Sequence, residues 1–509
     1  MKYLVRKEEM KRYDANTIEF FGIPSMVLIE RAALAAVEEL VRDSPAACSR
    51  ILVAVGTGNN GADGLVMARL LHLLGHKVLV LTADNQSRAT KENRQEFAIA
   101  KKYGVAHETF EAFLTGAQEK EGAAGAHRFD VVVDAVFGVG LSREIGGSYR
   151  ELLERLNGLS GKKIAVDIPS GIDADDGSVL GVAFRADLTV TFSYEKLGMR
   201  LFPGQEYCGR IICRSVGIDD HSFLAEGKGE KPFTAAFTQE DLALLPPRRP
   251  RTNKGSYGSV LVIAGSAGMA GAAYFSGCGL VRILTPEENR VIIQSILPEA
   301  VLTTYSGVCP DEDVLAEAME RADAVVCGPG LGKSEGARML VHMALKRTAV
   351  PMVLDADALN ILSEEPQLLK SPHGKLIVTP HLGEMARLLK STVADIRDHL
   401  TRTAEEFARD CGLICVLKDA RSVTAVPHGM TYVNLSGNNG MATGGSGDVL
   451  TGVMAGLIAQ GLKPELAAPL GVYIHGLAGD RAAERVGRYS LTAQALLDGL
   501  PAVFEKADI

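Results

Sequence analysis

The feature that most constrains this chain is a repeated alternation of short apolar runs with amphipathic segments, most of the runs ending on glycine or aspartate. From Ile51 it reads ILVAVG, TGNNGAD, GLVMARLLHLLG and HKVLVLTAD; FDVVVDAVFG and KKIAVDIPSG follow, with the helical stretch SYRELLERLNGL between them. Strands separated by amphipathic helices build parallel βαβ units, so an α/β sandwich is predicted. A second series opens at SVLVIAG and continues through ADAVVCGPG, PMVLDADALN, KLIVTPHLGE and GLICVLKDA. The glycine- and lysine-rich segment GKGEKP, Gly227 to Pro232, separates the two, and 509 residues suffice for two cores. The reading is an N-terminal domain over 1–226, a linker over 227–237 and a C-terminal domain over 238–509. The halves share no motif order, so they are not a simple duplication.

Net charge narrows the partners. With 54 Lys and Arg against 62 Asp and Glu, the formal charge is -8, which implies no broad basic surface for nucleic acid or anionic lipid. The uncharged run from Ser259 to Val281 is long enough to span a bilayer, but its glycines and serines divide it into strand, loop and helix, so no membrane segment is expected. The first residues are charged and lack the apolar core of a secretory leader. The eight cysteines form no CxxC pair. A reduced, cytoplasmic protein acting on small molecules is the expectation.

Gly56, Gly58 and Gly61 form GxGxxG between a strand and a helix, the context in which that motif suits a dinucleotide. Asp84 ends the next strand, where a ribose-binding acid belongs. Yet the loop, GTGNNGADG, carries two carboxamides and a carboxylate, and an aspartate facing a pyrophosphate repels it unless a cation intervenes. Asp134 and Asp167 with Ser170 stand at two further strand ends. Asn60, Asp134 and Ser170 together could enclose a hard cation. The plainer alternative is that Asn59 and Asn60 shape a turn and Asp167 caps a loop.

In the second half, Gly444, Gly445, Ser446, Gly447 and Asp448 directly precede a helix. Backbone N–H groups there make an anion hole for a phosphoryl group, and Asp448 is placed to take a proton from an attacking hydroxyl. The alternative is a tight loop with Asp448 complementing the helix dipole. His381 and Glu384 in TPHLGE, DADALN and Lys418 in VLKDARS also stand at strand ends, and Lys254 is the member of the basic cluster PPRRPRTNKGSYG kept as a phosphate contact. Glycine is in excess, 54 residues, and much of it lies at strand ends, where backbone can approach phosphate closely.

These motifs resemble a known family. The second half is similar to ribokinase-like dehydratases that repair hydrated NADH and NADPH, through AGSAGMAGAA, GPGLG, DADALN, TPHLGEMARLL and GNNGMATGGSGDVLTG. The first half resembles the companion NAD(P)H-hydrate epimerases, through EEMKRYDANTIEFFGIPS, GTGNNGADGL, DAVFGVGL, DIPSGIDADDG and TFSYEKLGMRLFPG. The likeness covers nearly the whole chain, in the order of the bifunctional enzymes. It implies a Rossmann-like α/β/α sandwich followed by a ribokinase-like α/β/α domain.

It also implies that the first half interconverts the R and S hydrates at C6 of the nicotinamide ring. The epimerase substrate would meet Asn59, Asn60, Gly61, Ala62 and Asp63, then Gly138, Val139, Gly140, Leu141, Ser142, Arg143 and Glu144, and Asp167, the candidate for proton transfer. Potassium would lie at Asn60, Asp134 and Ser170. The second half would use ADP, with magnesium, to phosphorylate the S hydrate, releasing AMP and phosphate. Asp448 would be its base, with Ala272, Gly332 and His381 on the hydrate and Lys418, Asp419, Ala420, Arg421, Ser422 and Gly447 on the nucleotide. Families of this type tend to form homo-oligomers; the helix SMVLIERAALAAVEEL could supply the contact or simply pack on its own core. Asp419 replaces a usual glycine and adds charge near the diphosphate, while Ser422, Leu382 and Ala62 are milder departures. The rival readings are a small-molecule kinase of the same fold, a nicotinamide dehydrogenase resting on GxGxxG alone, and a non-catalytic nucleotide-binding scaffold.

Overall fold

The computed structural model describes residues 1–43, 49–118, 129–227, 229–248, 250–266, 278–370 and 376–505. Two compact units are present: Tyr3–Phe233, and Thr234–Ile509 with Met1–Lys2.

The N-terminal unit is built on seven parallel strands. From one edge to the other they are Ala106–Thr109, Lys77–Thr82, Arg50–Val55, Val131–Ala135, Lys162–Val166, Leu188–Phe192 and Arg210–Arg214. Both faces of the inner strands are covered, which is why those strands read as continuous apolar runs. Ile51, Val53 and Val55 pack with Leu65 and Val66 of the helix Asn59–Leu73, whereas Leu52 and Ala54 pack with Leu152 and Leu156 of the helix Gly147–Gly158. The chain winds outward from Arg50–Val55 in one direction, then crosses to Val131–Ala135 and winds outward in the other. The carboxyl ends of those two strands therefore flank the switch point, where open α/β sheets bind ligands.

The helix Ser25–Asp43 contains the apolar stretch whose role the sequence left open. Ile29, Ala33, Ala36, Val37 and Leu40 bury against the sheet, while Val27, Leu34 and Val41 stay exposed. Most of the stripe is thus core.

In the C-terminal unit the parallel strands run Val301–Tyr305, Leu280–Pro286, Ser259–Ile263, Ala324–Cys327, Met352–Leu354, Leu376–Val378 and Ile414–Leu417. Val423–Ala425 and Thr431–Val433 then turn antiparallel, and Thr234–Ala236 pairs alongside Thr431–Val433. The helices Ser446–Ala459 and Pro464–Val486 bury Val449, Val453 and Ile474 against Val260, Val262 and Val326. The switch point falls between Ser259–Ile263 and Ala324–Cys327. The uncharged run from Ser259 thus begins as a strand, and among the described residues no helix is long and apolar enough to cross a membrane.

Candidate active sites

At the switch point of the N-terminal unit lies a cavity of about 720 Å³. Its floor is the GTGNNGADG segment. Gly58 is the N-cap of the helix Asn59–Leu73, and the spacing of three and four residues puts Asn59, Asn60 and Asp63 on the cavity side. Gly61 and Ala62 turn inward, and Ala62 is fully buried. Glycine is needed here mainly for packing. A Cβ on Gly56 would lie 1.9 Å from the Val136 carbonyl oxygen, and one on Gly61 would lie 2.0 Å from that of Gly56, whereas Gly58 lines the cavity. Asn93 braces the loop, its Nδ2 donating to the carbonyls of Gly56 at 2.9 Å and Gly58 at 3.0 Å.

Gly138 to Arg143 form another wall, and Glu144 falls outside it. Asp84, the proposed ribose ligand, lies elsewhere: its Oδ1 accepts the Glu111 N–H at 3.0 Å and caps a helix start, so the dehydrogenase-like acid is not in the cavity.

Beside this floor sits a set of oxygen donors. Asp134 is fully buried; its Oδ2 accepts the Ser170 N–H at 2.7 Å, and its Oδ1 accepts the Ser170 hydroxyl at 2.7 Å and the Val136 N–H at 3.1 Å. Burial pushes this carboxyl up to about 6, against the opposing effect of the Ser170 hydrogen bonds. Ser170 Oγ accepts the Phe137 N–H at 2.8 Å, and the next residue, Gly138, lies against Asn60, with 3.3 Å between a Cβ placed there and Asn60 Cγ. Both polar atoms of the Asn60 side chain are buried and meet no hydrogen-bond partner among the described residues. An orphaned carboxamide beside a buried carboxylate and a hydroxyl fits an alkali cation, which accepts oxygen donors of either charge. No cluster of three His, Cys, Asp or Glu side chains suited to a transition metal occurs among the described residues.

Across the cavity stands Asp167, on a residue with φ of 67°, a left-handed conformation costly outside glycine. Its Oδ1 accepts from Lys196 Nζ in an ion pair and from Thr191 Oγ1 at 3.2 Å. Lys196 is 1% exposed. Asp14, from the helix Lys7–Ala15, and Asp63 line the same cavity. Burial raises both carboxyls, Asp63 well above the usual range, and the charge of Asp167 adds to each. Sequence reasoning missed Asp14 and Lys196 as site residues, since Asp14 lies within a helix and Lys196 ends a two-residue strand, Glu195–Lys196, outside the seven-stranded sheet.

The C-terminal unit assembles a second site. The N-terminus of the helix Ser446–Ala459 begins after Gly445, whose φ is 83°. A Cβ on Gly447 would lie 3.4 Å from Asp355 Oδ2 and 3.5 Å from Lys418 Nζ, so three loops meet there. Lys418 Nζ donates to Asp355 Oδ1 at 2.7 Å, with Asp355 2% exposed. Asp448 is pushed up to about 7, by burial first and by the Asp355 charge second, with Lys418 opposing.

His381 pairs in register with Lys418 and caps the helix Leu382–Leu389: its Nδ1 accepts the N–H groups of Gly383 at 3.0 Å and Glu384 at 3.3 Å. Its ring therefore stays neutral, as burial and the Lys418 charge also favour. Glu384 answers by accepting the His381 N–H at 2.9 Å; its carboxyl is buried and raised. Gly332 donates its N–H to Asp357 Oδ2 at 2.8 Å. Asp355 and Asp357 flank Ala356, held at φ of 50°, so DADALN grips two loops through one strained residue.

Asp419 is half-buried in the turn after Lys418, where its carbonyl accepts from Ser422 Oγ at 3.4 Å; Ala420 is exposed, and Arg421 reaches the Leu435 carbonyl at 3.3 Å. Ala272 lies outside the described residues. Lys254 is misplaced as a phosphate contact. It precedes Ser259–Ile263, and a Cβ on the nearby Gly258 would touch the Ala459 carbonyl at 2.1 Å, at the far end of the helix whose start carries Gly447. Asp355 stands in DADALN, where no neighbouring residue type marks it apart from Asp357. His475 gave no signal: it is buried beside the start of the helix Ser446–Ala459, its Nε2 is 3.4 Å from Ser446 Oγ, and burial depresses its ring to about 4.

The two units thus define an enzyme class: one chain with two separate α/β sites, one a cavity lined by carboxyl groups and a buried lysine, the other a glycine-rich helix N-terminus where Asp355, Lys418 and Asp448 come together. Residues 260–502 match the family model described as NAD(P)H-hydrate dehydratase, and residues 25–198 match that of the YjeF-related protein N-terminus. A bifunctional NAD(P)H-hydrate repair enzyme of Moorella thermoacetica is 38% identical, over 99% of this chain and 97% of that protein. The one from Escherichia coli is 34% identical, over 97% and 92%. A solved ADP/ATP-dependent NAD(P)H-hydrate dehydratase from Bacillus subtilis, co-crystallised with ATP and Mg2+, is 31% identical over 53% of this chain and 98% of its own, with a TM-score of 0.48. The chain belongs to the family of bifunctional NAD(P)H-hydrate repair enzymes.

Proposed function

We propose that the N-terminal unit, within 1–226, epimerises hydrated NADH and NADPH at C6, and that the C-terminal unit, within 238–509, dehydrates the S hydrate with ADP. The epimerase–dehydratase pairing is that of the family. The observation that carries the residue assignment is the meeting of Asp355, Lys418, Gly447 and Asp448 at one helix N-terminus. Asp448 takes the proton of the C6 hydroxyl as its oxygen attacks the terminal phosphorus of ADP. AMP leaves, with Lys418 and the Gly444 to Gly447 N–H groups holding the charge that develops. The new phosphate ester then departs from C6, pushed by the lone pair on the ring nitrogen, and loss of a proton from C5 restores NAD(P)H. The rationale is that hydroxide is a poor leaving group and phosphate a good one.

Gly332 and His381 are the proposed hydrate contacts; Asp419 to Ser422 are nucleotide contacts. Magnesium, bound with the nucleotide, would neutralise phosphate charge, and buried Glu384 is a hard oxygen donor close at hand. In the N-terminal unit Asn59, Asn60, Asp63 and Gly138 to Arg143 hold the hydrate. Potassium at Asn60, Asp134 and Ser170 would offset the carboxylate charge and fix the loop. The exposed Val27, Leu34 and Val41, one heptad apart, support self-association.

The test is product stoichiometry. Purified protein given the S hydrate, ADP and magnesium should release one AMP and one phosphate per NAD(P)H formed. Accumulation of a stable phosphorylated hydrate with no NAD(P)H would instead favour a simple kinase.

A further inference from the structure

The epimerase cavity holds three carboxyl groups and one buried lysine, and hydrogen bonding divides them unequally. Lysine has three N–H donors. Those of Lys196 have three acceptors in reach: Asp167 Oδ1, Thr191 Oγ1 at 2.9 Å and the Phe192 carbonyl at 3.3 Å. None is left for Asp63. Asp63 is 9% exposed and lines the cavity, and its carboxyl makes no hydrogen bond or ion pair among the described residues. A carboxyl so buried, hydrogen-bonded to no cation and beside other carboxylates, favours its neutral form, with the Lys196 charge opposing. Asp167 has the opposite setting. Its Oδ1 is tied to Lys196 and Thr191, and its other oxygen is free to meet a ligand. One carboxyl bound to a lysine and another with no donor beside it, within one cavity, is the arrangement that separates an acid from a base.

We propose that Asp63 and Asp167 are the catalytic acid and base of epimerisation, with Lys196 as the positioning residue that fixes Asp167. The proposal rests on the epimerase reading of this unit. Carbon C6 of the hydrate carries a hydroxyl and is bonded to ring nitrogen N1, so inversion requires one of those bonds to break and re-form on the other face. Asp167 removes the hydroxyl proton, and the O–H electron pair becomes the second bond of a C6 carbonyl. The C6–N1 pair withdraws onto N1, which takes the proton of Asp63. Rotation about C5–C6 presents the opposite face. Then N1 re-adds to the carbonyl carbon, Asp63 recovers the N1 proton, and Asp167 returns its proton to the oxygen. Protons and electrons balance without an oxidant or reductant. The other charged groups facing the cavity, Lys11 and Asp14 from the first helix and Arg143 from the opposite wall, are not needed as donors or acceptors.

The experiment uses the full chain and pure R hydrate with excess ADP and magnesium, read as recovery of nicotinamide absorbance. Asp63→Asn should lower kcat for R consumption about 100-fold or more, while the same sample dehydrates the S hydrate at the wild-type rate and so proves folded. The wild-type rate should fall at alkaline pH as Asp63 ionises, and Asp63→Asn should lack that fall, whereas Asp63→Glu should retain it. Lys196→Gln should slow R consumption but keep the alkaline fall. A rate for Asp63→Asn within threefold of wild type, or a slow variant with the alkaline fall unchanged, overturns the proposal. A wild-type chain that consumes R no faster than it epimerises spontaneously defeats the epimerase reading instead.

Discussion

Dehydration should follow the ionisation of Asp448, and the structure supplies the expected pH dependence. The base works only when ionised, and burial with the Asp355 charge has moved its carboxyl up to about 7. The sign follows directly: a raised carboxyl is protonated below that value, so activity is lost as pH falls. About 9% of the sites carry the base at pH 6 and about 91% at pH 8, a rise of about tenfold. Asp355→Asn removes the like charge and releases Lys418 from its 2.7 Å ion pair, and both changes favour ionised Asp448. For carboxylates within about 10 Å, an effective dielectric of about 20 gives about 1.7 kcal/mol or more. That is a little over one pH unit. The assay is kcat/KM for the S hydrate with ADP between pH 6 and 8.5. A midpoint near 7 for the wild type, displaced downward in Asp355→Asn, is expected. A flat profile in the wild type, or an upward displacement in Asp355→Asn, would refute the electrostatic reasoning.

Other outcomes follow from the same geometry. Ser170→Ala removes a 2.7 Å hydroxyl donor from buried Asp134 and the acceptor of the Phe137 N–H; together these should cost about 2–4 kcal/mol, and the thermal stabilisation that potassium gives over sodium should shrink in differential scanning fluorimetry. Asn60→Ala should raise the potassium concentration needed for half-maximal R consumption while leaving S dehydration unchanged. Gly61→Ala drives a Cβ to 2.0 Å from the Gly56 carbonyl, and overpacking of this kind costs about 1–3 kcal/mol, visible as a lower unfolding midpoint in denaturant. Lys418→Met should raise the KM for ADP and lower kcat, because both the phosphate contact and the Asp355 ion pair go; an unchanged KM would remove Lys418 from the nucleotide site.

The fold was legible wherever burial on both faces wrote a continuous apolar run, as at Ile51 to Val55 and Val131 to Ala135. The edge strand Ala106–Thr109 left no such mark, because all four residues are exposed. The strand-end loops pointed to Asn60, Asp134, Asp167 and Ser170, since parallel strands deliver their carboxyl ends to a site, and the glycine run before the helix Ser446–Ala459 pointed to Asp448. Asp14 and Lys196 were hidden for the same reason in reverse: a helix and a short strand outside the parallel sheet bring them in, and only tertiary packing shows it. Glycine misled in part. Gly56 and Gly61 admit neighbouring backbone, not phosphate, because sequence cannot distinguish close packing within the protein from close approach of a ligand. Lys254 misled because a basic cluster carries no sign of which end of the sheet it occupies.

The most direct test of the account is recovery of NADH from an equal mixture of R and S hydrates, with ADP and magnesium, by the wild type and by Asp448→Asn and Asp167→Asn. The wild type should recover both epimers faster than spontaneous epimerisation allows, Asp167→Asn only the S half at that speed, and Asp448→Asn neither. Recovery of the R half at the wild-type rate by Asp167→Asn, or any enzymatic recovery by Asp448→Asn above one hundredth of the wild-type rate, would contradict the assignment of the two chemistries to these two sites.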